Sequence, residues 1–166
     1  MISLKDAVEF TKRRHGNQKR MQGTAYYEHP ITVARLLKTK GFPVSYQIAG
    51  LFHDLLEDTK TTYDEILHLT DEGVAEAVRK VTKEDGYDMA EYIDRISKDE
   101  MARMVKLADR VHNLSDVKHA KKSFQRKYIK ETEEWYVKLA DGTVFEKDLN
   151  KYLSELKNIL NRDVER

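Results

Sequence analysis

The stretch Ile48-Ala49-Gly50-Leu51-Phe52-His53-Asp54-Leu55-Leu56-Glu57-Asp58-Thr59 sets four ionisable side chains among apolar ones. Ile48, Leu51, Phe52, Leu55 and Leu56 recur at three- and four-residue intervals, the spacing of an amphipathic helix. On such a helix His53 and Glu57 lie four residues apart, as do Asp54 and Asp58, so each pair shares one side. The apolar neighbours imply that the helix is largely buried. Ionisable groups on a buried helix are costly unless they pair or bind a metal. Read on this helix alone, a metal-binding cluster and a surface stripe that caps the helix C-terminus fit equally well.

The same periodicity runs outward from this stretch, for example through Ile31, Val33, Ala34, Leu36 and Leu37. Only 2 prolines and 7 glycines interrupt the chain, which favours long helices over strands and turns. Helices are expected over 3–15, 30–40, 44–57, 62–69, 72–82, 88–97, 99–119, 123–140 and 146–163. Pro30 suits a first helical turn, where its missing N–H is not needed. Gly41 suits a stop after Lys40, and Asp64 and Glu65 suit a helix start, where carboxylates meet the positive end of the dipole. No repeat, linker or low-complexity segment is found. The chain therefore reads as all-α, a single compact helical bundle forming one domain over 1–166.

A chain of 166 residues buries roughly 70% of its unfolded surface, enough for a real core. Hydrophobic residues make up 40% and charged residues 36%, a soluble globular balance. A net charge of +1 argues against nucleic acid or a membrane surface as partner. The absence of cysteine excludes disulfides and thiolate metal sites and fits a reducing compartment. No apolar run is long enough to span a bilayer, and the N-terminal stretch lacks a signal-peptide pattern, so a cytoplasmic location is expected. The oligomeric state is left open. Local charge says more than net charge. Lys12, Arg13, Arg14, Lys19 and Arg20 form one basic run, and Lys118, Lys121, Lys122, Arg126, Lys127 and Lys130 a second, neither with an acid inside it. Such runs are ordinarily solvated helix faces; the sharper reading is a rim that attracts a phosphorylated small molecule.

A metal needs more ligands than His53 and Asp54. His29 precedes Pro30 at a helix start, and Asp109 is flanked by Leu107, Ala108 and Val111, which turns it inward. His29, His53, Asp54 and Asp109 together offer two imidazoles and two carboxylates, a mixture suited to Mn²⁺ or Fe²⁺, with Zn²⁺ as the alternative. These residues come from three separate segments, so spacing does not by itself unite them.

Independent stretches now agree on a resemblance. His15-Gly16-Asn17-Gln18-Lys19-Arg20, then Gly23 and Tyr26, His29-Pro30, His53 through Thr59, Val81-Thr82-Lys83 and Lys106 through Asn113 resemble, in order, the hydrolase domain of the RelA/SpoT alarmone enzymes. The chain as a whole is similar to their short, hydrolase-only relatives, over roughly residues 4–140. The resemblance implies a helical bundle of the His-Asp (HD) type. It also implies Mn²⁺-dependent hydrolysis of guanosine 3′-diphosphates, (p)ppGpp, to pyrophosphate and GDP or GTP. By motif position it makes His29, His53, Asp54 and Asp109 the metal ligands, and Glu57 and Asp58 the pair that activates and orients the attacking water. Arg20 becomes the residue that stacks on guanine, and Asn113 one that lines the nucleotide site. Lys106, Lys118, Lys122 and Arg126 become candidate diphosphate contacts. Two adjacent carboxylates in a dry site cannot both ionise cheaply, so one of Glu57 and Asp58 is expected to hold a raised pKa, which one being open. His15 and His112 read as structural, His68 and His119 as surface residues, and Trp135 and Tyr136 as core.

The departures from the family concern substrate preference. Met21 stands where many relatives carry a basic residue, and Ala25 where a proline is usual. The synthetase and regulatory domains of the long enzymes find no room, so alarmone synthesis is not expected. Two other functions compete: an HD phosphohydrolase acting on another nucleotide, such as the 2′-phosphate of NADPH, and a non-catalytic nucleotide sensor. The second would be favoured by loss of a ligand or of Glu57 and Asp58, all of which are present.

Overall fold

The structure is a computed structural model that describes residues 1–164, with side chains through Asp163. In chain order its helices are α1 (Leu4–His15), α2 (Glu28–Thr39), α3 (Val44–Phe52), α4 (Leu55–Asp58), α5 (Tyr63–Leu69), α6 (Glu72–Val81), α7 (Met89–Ser97), α8 (Glu100–Asp116), α9 (Lys122–Glu131), α10 (Val137–Ala140) and α11 (Glu146–Val164). Among the described residues the β pairing is limited to one isolated antiparallel bridge, Lys19 with Ala25. The all-α expectation is met. The helices form two compact units, Met1–Lys106 and a second from Leu107 onward, with the boundary inside α8.

Local chemistry explains many of the helix ends. Ser3 caps α1 by accepting from the Asp6 N–H at 3.1 Å. Thr62 and Glu65 form a reciprocal capping box at the start of α5. Gly41, with φ 86°, takes the left-handed conformation just past α2, and the Phe42 N–H reaches back to the Leu37 carbonyl at 3.1 Å.

In the first unit α3 is the central element, packed against α1, α2 and α6. Ile48, Ala49, Leu51 and Phe52 are buried there with Val33, Leu37, Val74 and Val78, and the Phe10 and Phe52 rings meet at 5.5 Å. A tight approach occurs at Gly50, where a Cβ would stand 2.8 Å from Leu37 Cδ1 and 3.3 Å from Val33 Cγ1. Glycine at this position lets α3 lie close against α2.

One expectation is corrected. An unbroken helix over 44–57 is not formed: α3 ends at Phe52, and α4 begins at Leu55. The cause is local. His53 Nδ1 bonds the Gly50 carbonyl at 2.6 Å, the acceptor that a continuing helix would offer to the Asp54 N–H. The bond from Asp58 N–H to the Asp54 carbonyl, 2.9 Å, then opens the next helical turn.

In the second unit Arg110 is buried between the rings of Tyr128 and Tyr136, its guanidinium carbon 4.1 and 3.8 Å from their centroids. Glu131 accepts from its Nη2 at 2.7 Å. The expected helix over 123–140 is continuous but passes through a π-helical segment, Thr132–Tyr136, between α9 and α10. Tyr136 is core, as expected; Trp135 is only half-buried. Among the described residues no helix is long and apolar enough to cross a membrane.

Gly50→Val would drive a branched side chain into Leu37 and Val33. Overpacking of this kind costs about 1–3 kcal/mol. A lower midpoint in chemical denaturation is expected, and an unchanged midpoint would show that α2 and α3 do not depend on this approach.

Candidate metal centre

The site of the first unit is assembled at the break between α3 and α4. His29 is delivered by the first turn of α2, His53 by the residue after α3, and Asp54 by the residue before α4. The close packing of α2 on α3 brings the His29 and His53 rings edge to face, with centroids 5.1 Å apart. Both histidines are buried. A carbonyl can only accept, so the bond of His53 Nδ1 to the Gly50 carbonyl fixes the proton on Nδ1. In the neutral ring the lone pair then lies on Nε2. That atom faces Asp54 Oδ2 at 3.1 Å, and His29 Nε2 lies 3.7 Å from the same oxygen.

An imidazole lone pair held that close to a carboxylate oxygen calls for a proton or a cation between them. Two ring nitrogens and a carboxylate converging on one point, with one histidine oriented from behind by a backbone carbonyl, are the donor set and the outer bond of a divalent-metal site. The residues present fit the ion.

A second group adjoins the first. Asp54, Glu57 and Asp58 bring carboxylate oxygens within 4.8 Å of one another. Glu57 is aimed by the backbone of Lys83, whose N–H donates to Glu57 Oε1 at 2.7 Å. This gives the Val81-Thr82-Lys83 segment a task. It is held from behind by Arg95, which donates to the Lys80 and Thr82 carbonyls at 3.0 and 2.7 Å. The surrounding protein, followed by the charges of Asp54 and Glu57, pushes the Asp58 carboxyl up from 3.8 to about 6, against the lowering effects of a Tyr26 hydrogen bond and of His53. Asp58 is thus a member of the pair with a raised pKa, although water still reaches it.

Three residues enter the site that the sequence quotes in its motifs without giving them a role there. The Tyr26 hydroxyl donates to Asp54 Oδ2 at 2.7 Å. Gln18 Nε2 donates to the Asp58 carbonyl at 2.8 Å, and Gln18 Oε1 bonds His15 Nδ1 at 2.9 Å. His15, read as structural, is buried, and burial lowers its pKa below the usual 6.5. No periodicity signals these contacts, because they depend on the turn between α1 and α2.

The remaining candidates lie as follows. Arg20 is half-buried at the base of that turn, where its N–H bonds the Thr24 carbonyl at 2.9 Å. Lys106 is buried, its ammonium 5.6 Å from the centre of the Tyr92 ring. In the second unit Asp109 is buried, and Asn113 donates to Asp109 Oδ1 at 3.0 Å, one helical turn away. Lys118, Lys122 and Arg126 are exposed. Lys122 lies 3.7 Å from Asp163, and Arg126 borders a hollow shared with Glu133 and Glu134. His68 and His119 are exposed, as expected.

Comparison with known proteins follows the same lines. The family model described as the HD domain matches residues 7–143. A guanosine-3′,5′-bis(diphosphate) 3′-pyrophosphohydrolase of Aquifex aeolicus is 37% identical over 145 residues, covering 82% of this chain and 21% of the relative. The chain thus spans about a fifth of that relative's length. A Danio rerio protein of the same enzyme name is 32% identical over 151 residues, covering 84% of this chain and 83% of its own. A solved structure, described as a metazoan ortholog of SpoT that hydrolyses ppGpp, superposes with a TM-score of 0.81 at 23% identity. It covers 92% of this chain and 94% of that one, which establishes the fold.

The raised Asp58 carboxyl has a consequence for stability. Below about 3.8 both folded and unfolded chains carry the proton, and nothing is lost. Between 3.8 and about 6 the unfolded chain ionises first, so the folded state loses stability as pH rises, and above that range the loss is complete. In metal-free protein, Asp58→Asn is therefore expected to raise the unfolding free energy at pH 7.5 by on the order of 1 kcal/mol, discounting for the solvent that screens this carboxylate. At pH 4 little gain is expected. Equal gains at both pH values in thermal denaturation would contradict this electrostatic account.

Proposed function

The chain belongs to the HD-domain family, and we propose that it hydrolyses the 3′-diphosphate of guanosine alarmones, (p)ppGpp, to pyrophosphate and GDP or GTP. The observation that carries this reading is the convergence of His29, His53 and Asp54 beside the Glu57 and Asp58 carboxylates. The Danio rerio relative, matched over most of both chains, supports the choice of substrate.

His29, His53 and Asp54 hold the ion, with Asp109, oriented by Asn113, as the proposed fourth ligand. The family match across residues 7–143, which takes in all four positions, supports this assignment. Mn²⁺ is the proposed metal, with Fe²⁺ or Zn²⁺ as alternatives for the same donors. When bound, the ion supplies Lewis acidity to a phosphoryl oxygen and eases deprotonation of water. The protein's own groups do the rest. Glu57, held by the Lys83 N–H, is placed to aim the attacking water and take up its proton, with Asp58 beside it. Arg20 offers a planar cation to stack on guanine. Asn113, Lys106, Lys118, Lys122 and Arg126 are the proposed contacts to the nucleotide and its phosphates. The proposed partner is a free nucleotide, with neither nucleic acid nor membrane, and the proposed location is the cytoplasm.

The test is pyrophosphate release from ppGpp by purified, Mn²⁺-loaded protein, run beside NADPH and other nucleoside phosphates. Release from ppGpp in marked preference is expected. No turnover would refute the activity, and comparable rates on all substrates would refute alarmone specificity. Asp54→Ala is expected to lose Mn²⁺ binding and turnover together. Glu57→Gln is expected to keep Mn²⁺ and lower kcat by about 10²–10⁴-fold. Arg20→Ala is expected to raise KM more than it lowers kcat.

A further inference from the structure

Tyr26 has no part in the division of labour above, yet it touches both halves of the site. Its hydroxyl donates its one proton to Asp54 Oδ2 at 2.7 Å, and the same hydroxyl lies close enough to the Asp58 carboxyl to act on it. Its ring packs on His15, with centroids 4.9 Å apart, and meets His29 edge-on at 6.0 Å. The backbone under it is pinned as well. The Tyr26 N–H donates to the Gln18 carbonyl at 2.8 Å, one residue beyond the Lys19–Ala25 bridge. The turn between the two bridged residues closes through Gly23, whose φ of 88° suits glycine.

Gln18 completes the arrangement from the other arm of the turn. Its amide nitrogen donates to the Asp58 carbonyl at 2.8 Å. Its amide oxygen can only accept, so His15 Nδ1 is the donor in their 2.9 Å bond, and this orients the amide. His15 Nε2 is buried without a hydrogen-bond partner. An apolar ring would pack there without leaving a nitrogen desolvated, so packing alone does not account for an imidazole. Its hydrogen bond to Gln18 does.

We infer that Tyr26 is a positioning residue whose hydroxyl ties the ligand carboxylate Asp54 to the water-handling carboxylate Asp58, while Gln18, set by His15, fixes the backbone of Asp58 from the same turn. The inference rests on the roles proposed above for Asp54 and Asp58. A residue that only supported the fold would contribute through its ring. Tyr26 contributes through its hydroxyl, at a distance that orients one oxygen of a metal-binding carboxylate.

The decisive variant is Tyr26→Phe, which keeps the ring and its contacts with His15 and His29. Mn²⁺ affinity, measured by calorimetry on the metal-free protein, is expected to fall about 10-fold, and kcat on ppGpp about 10–100-fold, with KM nearly unchanged. Gln18→Met, of similar length, is expected to lower kcat while leaving Mn²⁺ affinity as in the wild type, because it reaches Asp58 and not Asp54. Unchanged Mn²⁺ affinity in Tyr26→Phe would overturn the inference. Equal loss of Mn²⁺ affinity in both variants would also overturn it, since that pattern belongs to a loosened turn. Should the wild type bind Mn²⁺ and leave ppGpp intact, the substrate assignment would fail alone, and the Mn²⁺ measurements would still decide the role of Tyr26.

Discussion

The site depends on one short contact, the bond from His53 Nδ1 to the Gly50 carbonyl. It ends α3, fixes which nitrogen of His53 faces Asp54, and ties the ring to the glycine over which α2 packs closely. Glycine serves twice at that position. Its missing Cβ allows α2 to bring His29 in, and its carbonyl orients the other imidazole. Fold and chemistry are therefore set by the same few atoms. A change that pushes the helices apart would also turn the two imidazoles away from one another.

The balance of forces around this point is characteristic of a buried ionic site. Burying the two imidazoles and partly burying Asp54 is expensive, and the cost is offset by bonds from behind, a backbone carbonyl to His53 and a phenol to Asp54, while the exposed Glu57 is aimed by a backbone N–H. Each of these partners lies on an element with its own anchoring. Tyr26 is held by the Lys19–Ala25 bridge and Lys83 by the segment that Arg95 braces, so the carboxylates are positioned by rigid neighbours.

The helical class and the burial around 48–55 were legible because they are carried by periodicity, and His29, His53 and Asp54 stood out as candidates by residue type, their grouping coming from the family resemblance. Apolar spacing records which face a helix buries, and histidine beside carboxylate records what that face can bind. The break at His53 was not legible. Leu55 and Leu56 continue the apolar pattern across it, while the cause is a bond between a ring and its own backbone, which hydrophobicity does not register. Tyr26 and Gln18 were quoted as motif letters and nothing more. Their contacts require knowing that the chain between α1 and α2 doubles back on itself, and a single bridged pair leaves no strand-length pattern to read. The π-helical segment in 132–136 was equally silent, since its apolar spacing is compatible with an α-helix.

That π-helical segment has an optical consequence. The chain contains a single tryptophan, Trp135, and it lies within Thr132–Tyr136, half-buried in the second unit. Indole emission therefore reports on that segment alone, while the first unit, which holds the histidine site, is observed only through its tyrosines. Excitation at the red edge of the absorption band isolates the second unit spectroscopically, whereas tyrosine emission mixes both units, since Tyr128, Tyr136 and Tyr152 also lie in the second.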